Sequence, residues 1–165
     1  MDCYSNTATE LAKTLGEALK MHGLMLALAE SCTGGMVAQS ITSVAGSSAW
    51  FDCGFVTYSN AAKIEILGVS KQTLEAFGAV SEETAREMVI GVLKHSHAQV
   101  AGSITGIAGP NGGTTSKPVG TVCFGVSQAS QCTTSTQYFT GNREEIRQQA
   151  TIFLMQQLIE RLRID

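Results

Sequence analysis

Apolar residues along this chain follow two periods in turn. Between Thr7 and His22, Leu11, Leu15, Ala18 and Leu19 recur at helical spacing, Thr7-x-x-Glu10 fits a capping box and Gly23 a stop, so the pattern predicts a helix. Leu24 to Ala29 is a continuous apolar run between a glycine and the polar pair Glu30-Ser31, as in a strand buried on both faces. Thr33 to Thr42 reads as a second helix, and Phe51 to Tyr58, rich in aromatic and β-branched residues, as a second strand with an irregular centre at Asp52-Cys53-Gly54. Asn60 to Leu67 and Ser70 to Phe77 predict two short helices parted by Gly68. Ser81 then caps a longer helix that runs to about His95, with Glu82 and Glu83 in its first turn and Ala85, Met88, Val89, Val92 and Leu93 as its apolar stripe.

Gln99 to Thr105 predicts another buried strand, followed by a glycine-rich loop from Gly106 to Gly120. Thr121 to Val126 and Thr133 to Thr140 are strands joined by a polar loop, Ser127 to Cys132, too short for a crossover helix, so they pair antiparallel. Asn142-x-x-Glu145 opens a last helix with Ile146, Ala150, Phe153, Leu154 and Leu158 facing inward. The alternation predicts an α/β fold of three layers, a mixed, partly antiparallel central sheet with helices on both faces.

Composition narrows the class. With 165 residues, 44% hydrophobic and 15% charged, the chain fits one domain over residues 1–165 with a sizeable core. A net charge of -3 and a pI near 5.6 argue against a nucleic-acid surface. No basic n-region and apolar run follow Met1, and no apolar stretch is long enough to span a bilayer, so the expected protein is cytoplasmic, without a membrane partner. Cys3, Cys32, Cys53, Cys123 and Cys132 are scattered and never form C-x-x-C, which fits reduced thiols. His95 and His97 have no cysteine or carboxylate cluster beside them, so no metal is expected.

Two segments carry candidate chemistry. Glu30-Ser31-Cys32-Thr33-Gly34-Gly35 lies where a buried strand gives way to a helix, the edge at which open α/β sheets bind ligands and free helix amides receive an anion. Here Ser31 or Thr33 is either functional or a simple helix cap. Gly46-Ser47-Ser48-Ala49-Trp50 is a small-residue turn, followed closely by Tyr58 and Lys63. A serine hydroxyl becomes a nucleophile when a base takes its proton, and a lysine serves as that base only when burial or a neighbouring cation lowers its pKa. A tyrosine hydroxyl can relay the proton or orient the amine. The plainer alternative is a surface lysine and a core tyrosine.

Ala29 to Gly35, Ala45 to Phe51, Gly54 to Asn60 and Lys63, then Gly78 to Ser81, Thr105 to Pro110 and Lys117 to Val122, resemble in order the successive signatures of the CinA C-terminal-domain family. The resemblance spans almost the whole chain. It implies a nicotinamide-nucleotide amidohydrolase, converting nicotinamide mononucleotide to the nicotinate nucleotide and ammonia in pyridine-nucleotide recycling, with no metal or cofactor. The longer relatives carry an N-terminal nucleotide pyrophosphatase module, which is not carried over here.

For that reaction Ser48 is the leading nucleophile, with Lys63 as base and Tyr58 as relay; Ser31 is the rival, able to supply nucleophile or oxyanion-hole amides. Thr33 and Gly34 at the helix start, and Thr105, Gly106 and Gly109 at a strand end, offer hydroxyls and amides to the substrate. Arg143 and Arg147, four residues apart on one helix face, are candidates for its phosphate, or else solvated partners of Glu144 and Glu145. Glu30 either faces the pyridinium charge or serves as a structural acceptor. The partner is thus a small nucleotide, and the glycine-rich loops leave room for a homo-oligomer. Two competing readings are a nucleotide- or phosphate-binding module without turnover and a competence-related interaction domain, the latter suggested only by the family's name.

Overall fold

The computed structural model describes residues 3–163; residues 1, 2, 164 and 165 of the expected domain lie outside them. In chain order the elements are α1 (Cys3–His22), β1 (Leu26–Glu30), α2 (Met36–Thr42), a 3-10 turn (Ser47–Ala49), β2 (Phe51–Val56), α3 (Asn60–Leu67), α4 (Lys71–Phe77), α5 (Glu82–Lys94), β3 (Val100–Gly106), β4 (Thr121–Gln128), β5 (Gln131–Tyr138) and α6 (Arg143–Arg163). The sheet order is β2-β1-β3-β4-β5, with β1 parallel to both its neighbours and β4 antiparallel to β3 and β5. This is the expected mixed sheet in three layers.

Each face has its own core. Leu15 and Leu19 of α1, Val37 and Ile41 of α2 and Leu154 and Leu158 of α6 pack with Leu28, Ile104 and Phe124 of the sheet. On the other face Met88, Val89 and Val92 of α5 and Leu67 of α3 pack on Ala27, Ala29 and Ala101. All of these are fully or almost fully buried, at about 1.5–3 kcal/mol for each large side chain. β1 is buried at every residue because helices cover both its faces, which explains its unbroken apolar run. The chain leaves β1 for β2 by way of α2 on one face and returns to β3, on the other flank of β1, by way of α5 on the opposite face. That reversal opens a crevice at the carboxyl end of β1.

The termini of elements differ from the expected ones for local reasons. α1 begins at Cys3, so Thr7 lies inside the helix and its hydroxyl donates back to the Cys3 carbonyl at 2.9 Å instead of capping. α2 begins at Met36 and not Thr33, because Gly34 and Gly35 adopt φ 58° and 95° and form a tight turn first. β4 and β5 extend until only Ala129 and Ser130 separate them. The caps at Ser81, which accepts from the Thr84 amide at 3.1 Å, and at Asn142, reciprocal with Glu145, form as the pattern indicates.

Candidate active site

Three parallel strands end together at the crevice: β1 at Glu30, β2 at Val56 and β3 at Gly106. Ser31 follows β1 directly, tied to β3 by its amide on the Ile104 carbonyl at 3.0 Å. Thr57 is held to β1 in the same way, its amide donating to Glu30 O at 2.9 Å. Ser59 then caps α3, accepting from the Ala62 amide, and the first turn of that helix turns Lys63 inward. α3 reaches this depth because it crosses α5 at Gly91, where any side chain would overlap the Leu67 carbonyl.

Lys63 is 1% exposed, and its Nζ lies 3.0 Å from Ser31 Oγ, 2.9 Å from the Thr57 carbonyl and 3.4 Å from the Tyr58 carbonyl. No carboxylate pairs with it among the described residues. Burial therefore holds its pKa below the ordinary lysine value. Nζ thus reaches three oxygens at once, Ser31 Oγ and two carbonyls; once deprotonated, with two N–H donors and one lone pair, it can give its protons to the carbonyls and turn the lone pair to Ser31 O–H. Cys32, beside Ser31, is a poor nucleophile: burial pushes its thiol up to about 12.

Around this pair lies a cavity of about 180 Å³, lined by Ser31, Cys32, Tyr58, Asn60, Lys63, Ala79, Val80, Thr105, Gly106, Ala108 and Arg143. A cavity of about 260 Å³ between α1, α2 and α6 is roomier, but the Ser40 and Ser43 hydroxyls in its lining are donated to helix carbonyls and no buried amine faces them, so chemistry and not size selects the site.

The structure distributes the expected site residues unevenly. Ser31, Lys63, Tyr58, Thr105, Gly106 and Arg143 meet at the cavity. Ser48 does not: it is exposed in the 3-10 turn that precedes β2, whereas Lys63 lies beyond the far end of that strand. Proximity in sequence misleads here because six strand residues intervene, and each adds about 3.3 Å. The Tyr58 hydroxyl accepts from Arg143 Nη2 at 3.0 Å and only its carbonyl faces Lys63, so the phenol is no relay in this geometry.

Glu30 is 1% exposed and spends its carboxylate on the amides of Gly35, Val37 and Ala38 at 3.0, 3.2 and 2.9 Å. It is the structural acceptor of α2, which has no cap from residue 35, and does not face a substrate cation. Arg147 donates to the Cys32 and Thr33 carbonyls at 3.0 and 2.8 Å, bracing the turn after Ser31, and Gly34 packs beside its guanidinium. Arg143 bridges the cavity mouth, donating to Gly109 O at 2.8 Å as well as to Tyr58. The Thr105 hydroxyl is donated to Ala79 O at 2.7 Å, and Thr33 is fully buried, so neither offers a proton to a ligand. His97 and His95 lie at the other end of the sheet, the first against Asp52 and the second on the Gly91 carbonyl; among the described residues no group of three or more metal-ligating side chains assembles.

Side-chain reasoning misses Asn60, Ala79, Val80 and Ala108. Ala79 and Val80 sit in the Gly78 to Ser81 block of the resemblance, but an apolar side chain gives no chemical signal.

Fold and site together define an α/β protein with a buried serine–lysine pair at the carboxyl edge of a mixed sheet. The CinA C-terminal domain model matches residues 8–162, and the chain belongs to that family. It is 56% identical over 148 residues to the nicotinamide-nucleotide amidohydrolase PncC of Enterobacter agglomerans, covering 89% of this chain and 90% of that one. The protein of the same name from Escherichia coli K12 is 51% identical over 150 residues, covering 90% and 91%. Among solved structures, the competence/damage inducible protein CihA from Agrobacterium tumefaciens superposes with TM-score 0.92 at 42% identity, over 97% of this chain and 98% of that one. A CinA superfamily protein from Klebsiella pneumoniae gives 0.93 at 39%, over 96% and 99%.

Proposed function

We propose that this protein hydrolyses the carboxamide of nicotinamide mononucleotide, releasing ammonia and the nicotinate nucleotide, with Ser31 as nucleophile and Lys63 as base. The 3.0 Å approach of the buried Lys63 amine to Ser31 Oγ carries the reading; the two relatives named for this activity supply the substrate class.

In the first half-reaction the neutral Lys63 amine takes the Ser31 proton as Oγ bonds to the carboxamide carbon. The tetrahedral oxyanion collapses, the C–N bond breaks, and the lysine ammonium returns its proton to departing ammonia, leaving a nicotinyl ester on Ser31. Water then gives a proton to Lys63 while attacking the ester, and the ester bond breaks as Ser31 Oγ recovers that proton. Every proton passes through one amine, so no metal or cofactor is needed. Arg143, at the cavity mouth, holds the substrate phosphate with its guanidinium fork. The nucleotide product suits recycling of pyridine nucleotides in the cytoplasm.

Ser31→Ala and Ser48→Ala, assayed for ammonia release and nucleotide binding, test the assignment. Ser31→Ala loses turnover and keeps binding; Ser48→Ala stays close to wild type. Near-normal turnover by Ser31→Ala sinks the reading.

A further inference from the structure

Ala79 and Val80, in the segment that joins α4 to α5, line the cavity, and the carbonyls of Phe77, Gly78 and Ala79 pin that segment. Lys117 Nζ donates to Phe77 O at 2.7 Å, Thr84 Oγ1 to Gly78 O at 2.7 Å, and Thr105 Oγ1 to Ala79 O at 2.7 Å. Gly78 makes this possible at φ 80°, a backbone conformation that favours glycine. Among the described residues the one cis peptide bond is Gly109-Pro110, so the Gly78-Ala79 bond is trans. In a trans peptide the N–H points opposite to the C=O. The Gly78 carbonyl is drawn into the first turn of α5, and the Ala79 N–H is therefore aimed away from that helix.

Among the described residues no acceptor takes the Ala79 amide, yet Ala79 lines the same cavity as Ser31 and Lys63. The turn after the nucleophile has few amides to offer instead. Those of Ser31, Gly34, Gly35 and Met36 are engaged by Ile104 O, Ser31 O, Glu30 and Thr33 O, and Thr33 is fully buried. Only Cys32 remains there. A fixed, unpaired donor on the wall of an acyl-transfer site is what a developing oxyanion requires.

We propose that the Ala79 amide receives the carboxamide oxygen as it becomes an oxyanion, and that Thr84 is the positioning residue that aims it; this rests on the Ser31 and Lys63 reading above. Ser81 Oγ also donates to Gly78 O, at the longer distance of 3.0 Å, but it caps α5 as well, so Thr84 is the clean probe. Thr84→Val keeps the shape and removes the hydroxyl, and Thr84→Ser restores it.

With nicotinamide mononucleotide as substrate, Thr84→Val should lower kcat by about tenfold or more, short of the roughly 10²–10³-fold for outright loss of such a donor. KM should hold within about twofold, and Thr84→Ser should recover most of kcat, a pattern that general loosening of the fold would not give. Ala79→Pro removes the N–H itself and decides the matter if Thr84→Val does not fold. Wild-type kcat in either variant, or a Thr84→Ser as impaired as Thr84→Val, overturns the proposal alone. A wild type that releases no ammonia, or an active Ser31→Ala, overturns it together with the reading beneath it.

Discussion

Replacing Lys63 by methionine separates the two consequences of burying an amine at 1% exposure. The first is catalytic. Losing a positioned general base costs about 10²–10⁴ in rate, so ammonia release should fall by that much. The second is a stability change with a definite pH signature. In the unfolded chain Lys63 titrates near the ordinary value of 10.5, whereas burial lowers it in the folded state. Below the folded pKa, each unit of depression costs the folded protein about 1.4 kcal/mol. Between the two pKa values the unfolded chain binds more protons, so wild-type stability rises with pH relative to the variant, and above 10.5 the penalty is gone. Methionine also removes the hydrogen bonds to Thr57 O and Tyr58 O, each worth about 0.5–1.5 kcal/mol, but those losses do not titrate with the amine.

The assay is urea unfolding of both proteins at stepped pH from neutrality upward, beside ammonia release at each pH. Other titrating groups largely cancel in the difference. The advantage of the variant should be largest at the low end and shrink toward pH 10.5, while wild-type kcat/KM rises through the same folded pKa. A difference that stays flat, or a variant within about tenfold of wild-type turnover, refutes the reasoning.

Arg143→Ala removes the guanidinium that spans Gly109 O and Tyr58 Oη; KM for the mononucleotide should rise by about 10- to 100-fold, the range of one charge-assisted hydrogen bond. KM for the dephosphorylated riboside should change far less, and equal effects would rule out the phosphate role. Glu30→Gln halves the acceptors available to three amides and should destabilise the protein by about 1.5–3 kcal/mol in urea; an unshifted midpoint would show that the carboxylate adds nothing to α2. With its thiol pushed up to about 12, Cys32 stays protonated at pH 8, so iodoacetamide should leave activity intact. Rapid inactivation with label on Cys32 by peptide mapping would contradict that.

Much of the architecture is written locally. The apolar run of β1, the stripe of α5 and the caps at Ser81 and Asn142 depend on residues within a turn or two of one another, so periodicity and capping chemistry determine the elements and their layering. Ser31, Lys63, Thr105 and Arg143 were legible as candidates for the same reason: each sits at a strand end or helix start where ligand-facing groups belong. What tertiary structure alone decided is which of them meet. Ser48 is 15 positions from Lys63 and Ser31 is 32, yet parallel pairing of β1 and β2 puts the more distant serine at the amine, because both strands must end at the same sheet edge. Glu30 is consumed locally, by the amides of the turn and helix that follow it. The fates of Arg147 and the Thr105 hydroxyl were instead set by packing, since each is consumed by backbone groups that face it only once the layers close. The aim of the Ala79 amide belongs to that same level. It is set by the preceding carbonyl, which the Thr84 and Ser81 hydroxyls hold.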